Sequence, residues 1–287
     1  MALIPVYQDV LRVLRATPQG SLVWPAFEAE VFLPHRAYFE GLGQTYGPEI
    51  FSPDGLPGTV ERLAPYLRAS LEPAPAYGME EQAQRLLDEV TALLPGTPPN
   101  LYLATLFYLA PAATISVLGR PAIALGLERF HPAPPPGEPK VWYRPDEIVE
   151  MIPHEAAHAA RMQVLDLPPT PRLLSLLDMV MLEGTALLFT DLLLGRTTLA
   201  TFMPAAHLAW HQANDQYVRS LAAAAFDATG MDVFRRFFAP SAPISGYYVG
   251  YSLCREYIER YGPQSIRELL ALPSKEILNR LAPGTNP

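Results

Sequence analysis

Residues 147–163 read EIVEMIPHEAAHAARMQ, and no other stretch restricts the fold as much. Within it, His154-Glu155-Ala156-Ala157-His158 forms an H-E-x-x-H pattern. Two imidazoles four residues apart can share one metal ion when the backbone between them is helical, because a helix places i and i+4 on one face. Glu155, beside the first histidine, is then placed to take a proton from a water at that metal. Ala156, Ala157, Ala159 and Ala160 are strong helix formers and favour the same reading. Pro153 directly precedes the pair. A proline there loses a helical hydrogen bond and crowds the preceding turn, so either a new helix begins near Pro153 or a helix from about Glu147 is kinked. Both options leave the histidine spacing intact.

A catalytic zinc usually has three protein ligands and one open position. Glu183 is the leading third ligand. It lies in MLEGTALLF, where a buried carboxylate is costly without a partner, and a metal is such a partner. A place on the solvent face, or a pairing with an arginine such as Arg161, is the alternative. A second pair at the same spacing, His207 and His211, is continued by Asp215 and is a rival metal face. It has no glutamate beside its first histidine, and Gln212, Asn214 and Gln216 around it read as wetted surface.

Of the 287 residues 49% are hydrophobic and 17% charged, so a sizeable core can be buried despite 32 prolines. The chain reads as a single domain over 1–287, helical over 1–98, with a small sheet and the metal-binding helices over 99–287. A net charge of −8 without a basic run argues against a nucleic-acid partner. Cys254, the single cysteine, excludes an internal disulfide and fits a reducing compartment. The N-terminus lacks the signal-peptide pattern and no run of about 18 apolar residues occurs, so a cytoplasmic protein without a membrane span is expected.

Apolar spacing predicts helices over 5–15, 25–42 (with a break or kink at Pro34), 59–70 and 79–94, and a turn-rich loop over 46–58. LYLATLFYLAP (101–111), ATISVLG (113–119) and PAIALGLERF (121–130) read as two or three strands. HPAPPPGEP (131–139) is an extended connector, and Asp146 is a candidate N-cap for the motif helix. Helices follow over 173–195, closed by Gly195, and over 201–226, 246–262 and 264–281. The fold class is therefore α+β, predominantly helical, with a small sheet beside the motif helix.

His154-Glu155-x-x-His158 followed by Glu183 in a Glu-Gly-x-Ala context resembles the gluzincins, zinc peptidases whose third ligand is a glutamate on a later helix. The gap, 183 − 158 = 25 positions, is somewhat longer than in the aminopeptidase N branch, whose helix carries a similar Glu-Gly-x-Ala signature. In that branch a downstream Tyr-x-x-Gly supplies a tyrosine that stabilises the transition state. Here Tyr247-Tyr248-Val249-Gly250 stands at a comparable distance, 247 − 183 = 64 positions on. The string GYYVGYSLCREYIERYG (246–262) also resembles small bacterial proteins described as predicted zinc-dependent proteases. The resemblance extends over about residues 100–262.

It implies a zincin-like core in which His154, His158 and Glu183 hold Zn2+ and Glu155 is the general base. Tyr247 is implied as the donor to the oxyanion, with Tyr248 and Tyr251 as alternatives. A peptide or protein substrate is implied, which the sheet could bind as an added strand. The chain departs from the aminopeptidase N branch in lacking Gly-x-Met-Glu-Asn; GMEEQ (78–82) is a partial echo, so aminopeptidase specificity is not implied. Leu187 stands where some gluzincins place an aspartate that orients a histidine, and Asp178 is a candidate substitute. Three functions are compatible with these residues: a zinc peptidase, a binding or regulatory protein without turnover, and a metal-dependent hydrolase of a non-peptide amide or ester.

Overall fold

The computed structural model describes residues 2–18, 20–130, 143–168, 170, 173–239 and 242–282. The protein is predominantly helical with one small sheet, the α+β class expected. Its internal contacts divide it into two units, Met1–Ala92 with Pro98–Glu155, and Leu93–Thr97 with Ala156–Pro287. The expected connector at 131–139 lies outside the described residues. Among the described residues no helix is long and apolar enough to cross a membrane.

In the first unit, helices α1 (Val6–Ala16), α2 (Trp24–Phe27), α3 (Arg36–Tyr46), α4 (Leu56–Leu71) and α5 (Met79–Thr91) accompany strands β1 (Leu3–Ile4), β2 (Asn100–Ala104), β3 (Ala112–Val117) and β4 (Arg120–Gly126). The sheet order is β1-β2-β4-β3, with β1 and β4 parallel to β2 and β3 antiparallel to β4. Apolar residues on one stripe of α1, such as Val6, Val10 and Leu14, are buried. Phe27, Phe39 and Phe107 pack with ring centroids 6.1–6.5 Å apart. The helical pattern over 25–42 is broken before Pro34 by a π-helical turn at Glu28–Phe32. β1 was not expected, because two residues are too few to show an alternation.

The strand expected over 101–111 is shorter, and the cause is a buried acid. Glu128 is fully buried, and one oxygen of its carboxylate accepts the N–H groups of Leu106 at 2.8 Å and Tyr108 at 2.9 Å. Burial pushes its pKa up to about 7, against the pull of these donors. Phe107 and Tyr108 take positive φ, so the main chain leaves the sheet after Ala104.

β3 and β4 form a hairpin through a two-residue turn, Leu118 and Gly119, both at positive φ. Ser116 is paired with Pro121, which has no N–H. That pair is therefore not hydrogen-bonded. By alternation, neither are Thr114 with Ile123 nor Ala112 with Leu125, and the main-chain groups of Ala112, Thr114 and Ser116 point away from β4. α3 packs closely on β3 at one end: a Cβ on Gly41 would lie 2.5 Å from the Ser116 carbonyl oxygen.

Helix α6 (Ile148–Leu165) runs unbroken through Pro153, which selects the continuous helix over a new start. The expected cap at Asp146 is not the one used. A 3-10 turn at Pro145–Glu147 leads into α6, and the Arg144 N–H donates to the Glu147 carboxylate, so Asp146 sits inside the turn.

The second unit is built around α7 (Leu176–Leu194) and α12 (Gly246–Tyr261), with α8 (Leu199–Phe202), α9 (Ala205–Ala213), α10 (Asp215–Ala223), α11 (Met231–Phe238), α13 (Ile266–Ala271) and α14 (Ser274–Leu281) around them. α7 is apolar around nearly its whole circumference and mostly buried, as such a helix must be. Ser175 caps its start and Gly195 ends it with φ 65°. The single helix expected over 201–226 is three helices. Met203 is extended ahead of Pro204, and Asn214 leaves helical geometry between α9 and α10. Leu272, extended ahead of Pro273, divides α13 from α14 in the same way. α11 was not expected at all.

α7 and α12 cross at two glycines. A Cβ on Gly184 would lie 2.1 Å from the Gly250 carbonyl carbon, and one on Gly250 would lie 1.8 Å from the Val180 carbonyl oxygen. These are main-chain atoms of packed helices and cannot swing aside. Gly250→Ala is therefore expected to destabilise the protein by more than about 2 kcal/mol, the scale of an overpacked core. Gly58→Ala, in α4 with nothing near the added methyl, should be neutral or stabilising. Denaturant midpoints compare the two; equal midpoints would refute the close crossing.

Candidate metal centre

α6 carries both histidines of the motif after its proline, so the hydrogen bond lost at Pro153 is upstream of the pair. Ala156, Ala157, Ala159 and Ala160 are all buried. His154, Glu155 and His158 are themselves no more than 8% exposed, a heavy burial for three polar groups that requires compensation. Glu183 is partly buried on α7, with Nε2 of His158 3.4 Å from its Oε2.

One ligand atom from each of His154, His158 and Glu183 lies within 4.8 Å of the others. The donor set is two imidazoles and a carboxylate, which suits zinc. The 3.4 Å separation is long for a charge-assisted hydrogen bond. It is close to the edge of a tetrahedron, about 3.3 Å, when both ligands stand about 2.0–2.1 Å from its centre. The residues present therefore fit a zinc ion.

Arg161, Asp178 and the second histidine pair each have partners of their own. Arg161, fully buried, donates to the Leu269 carbonyl and to Ser274 Oγ at 3.1 Å, and burial pushes its pKa down to about 10. It ties α6 to the junction of α13 and α14. Asp178 accepts from Ser175 Oγ at 2.6 Å, part of the cap of α7, and Leu187 is fully buried. The rival face is also committed. His211 has Nδ1 2.7 Å from the His207 carbonyl oxygen, and its Nε2 accepts the Ser245 N–H at 3.0 Å, so both ring nitrogens are used. Asp215 accepts from Tyr248, Ser252 and Arg219.

Tyr247, Tyr248 and Tyr251, all on α12, have different surroundings. Tyr248 donates to Asp215 at 2.9 Å and Tyr251 to Asp191 at 2.7 Å. Burial, then the neighbouring carboxylate, pushes each pKa up to about 12. Tyr247 packs its ring on Phe202 and edge-on to Phe238, with centroids 5.7 and 5.3 Å away. It stands one turn before Gly250, as Glu183 stands beside Gly184, so the glycine crossing joins the two segments that carry these side chains.

One residue at this site escaped the sequence reading. Thr114, on β3, has its Oγ1 2.8 Å from Oε2 of Glu155 and 3.0 Å from the Glu155 main-chain oxygen. The signal available was faint: Thr114 and Ser116 place two polar residues on one face of an otherwise apolar strand.

Residues 140–279 match a family model described as "Predicted Zn-dependent protease (DUF2268)". The matched segment contains His154, Glu155, His158, Glu183 and Tyr247, and the match supports a zinc protease. It spans 140 of 287 residues and leaves the four-stranded sheet outside. No curated protein matched the chain, and no solved structure did.

Proposed function

We propose that the protein is a zinc-dependent peptidase of gluzincin type, with a zincin-like core and with His154, His158 and Glu183 as its metal ligands. The observation that carries this reading is the meeting of their ligand atoms within 4.8 Å around a buried H-E-x-x-H helix. Zinc bound there would acidify a water and polarise the scissile carbonyl. Glu155 takes a proton from the attacking water and delivers it to the leaving amine. The phenol of Tyr247 donates to the oxyanion. It is preferred to Tyr248 and Tyr251 because it opens the Tyr-x-x-Gly string by which the chain resembles the aminopeptidase N branch. The outward main-chain groups of β3 are an edge on which a peptide can be laid as a strand.

Metal analysis of the purified protein is expected to find one zinc per chain, and Glu183→Ala to lose most of it while staying folded. Chelation should abolish hydrolysis and added zinc should restore it. Full zinc retention in Glu183→Ala would remove that ligand assignment. Zinc retention without turnover on peptides, amides or esters would make the chain a binding protein, and turnover on amides or esters alone a non-peptide hydrolase.

A further inference from the structure

Glu155 is held from outside its own helix. A carboxylate side chain on a helix has several staggered rotamers, and in a general base most of them aim the oxygens away from the proton to be taken. Among the described residues the hydrogen-bonding partner of the Glu155 carboxylate is Thr114, at 2.8 Å through Oε2.

We propose that Thr114 is a positioning residue for the general base: its hydroxyl fixes Oε2 of Glu155 so that Oε1 is the oxygen turned to the substrate water. The inference rests on Glu155 being the base.

The geometry favours a directed contact over an incidental one. A threonine hydroxyl has one hydrogen and two nearby acceptors here, Oε2 at 2.8 Å and the main-chain oxygen at 3.0 Å. The carboxylate is nearer and charged, so it takes the proton more strongly. The second acceptor belongs to the same residue, so a hydroxyl rotating between them stays on Glu155. The mount is stiff. Thr114 is in the middle of β3, opposite the fully buried Ile123, with two paired residues before it and three after it. β-Branching limits its χ1, so strand and hydroxyl move together. Gly41 of α3 lies against the next outward residue, Ser116, and closes that end of the strand.

A threonine that merely tied strand to helix would affect stability alone. A positioning residue should affect the chemical step. Thr114→Val keeps the shape and removes the donor. It is expected to keep one zinc per chain, to lower kcat by about ten- to a hundredfold, and to leave KM within about twofold. Thr114→Ser, which keeps the donor but loses the branched constraint, should recover most of the rate. In a crystal structure of Thr114→Val the Glu155 side chain should leave its present position or split between rotamers, whether or not the protein turns over any peptide. Wild-type kcat in Thr114→Val would overturn the proposal, as would equal defects in the valine and serine variants, or an unmoved carboxylate in the crystal. These results differ from failure of the peptidase reading, which would appear as absent hydrolysis in the wild type.

Discussion

Glu155→Gln is expected to lower kcat/KM on a cleavable peptide by about 10²–10⁴-fold while the protein keeps its zinc. The amide has nearly the size of the carboxylate and can still accept from Thr114 at the oxygen that is now 2.8 Å away. The helix and the histidines should therefore be undisturbed. What disappears is the group proposed to take the proton from water. Zinc content, the denaturant midpoint and turnover should be measured on one preparation, so that lost activity is not confused with lost metal or lost fold. Unchanged turnover with zinc bound would eliminate the proposed mechanism.

Tyr247→Phe has the second-largest expected effect, a fall of about 10²–10³ in kcat with little change in zinc affinity. The ring packs on Phe202 and Phe238, and phenylalanine preserves those contacts. Tyr248→Phe and Tyr251→Phe are the informative comparisons. Each leaves an aspartate without one donor, so each should cost about 1–2 kcal/mol of stability and little turnover. If turnover instead fell most in one of these two, the oxyanion donor would be that tyrosine.

Much of the candidate centre is legible locally. The histidine spacing needs only one helix, and a carboxylate amid MLEGTALLF announces an unusual partner by its cost. Tyr-x-x-Gly and Glu-Gly are readable as strings, but the reason for their glycines is not. Gly184 and Gly250 touch across two helices 66 positions apart, 250 − 184, and no local pattern expresses such a contact. Thr114 is invisible for the same reason, being a hydroxyl on a strand 41 residues before the acid it holds. Glu128 changed the strand assignment from 20 and 22 residues away by drawing two amides out of the ladder. The missed breaks at Pro204 and Pro273 are different. Both prolines were in view, but apolar periodicity on either side outweighed the extended residue that precedes each.

The pairing of Ser116 with Pro121 has a consequence for length. It turns the main chain of three β3 residues outward, and α3 lies against the last of them. Of the other two, Ala112 is itself buried and Thr114 half-buried, so the usable edge is short. An edge this short is a poor template for another copy of the chain, which guards against strand-to-strand aggregation. It also sets a limit on grip. A peptide laid there would be held by the main chain over only a few residues, and one of them would be Thr114, whose side chain donates to the proposed base.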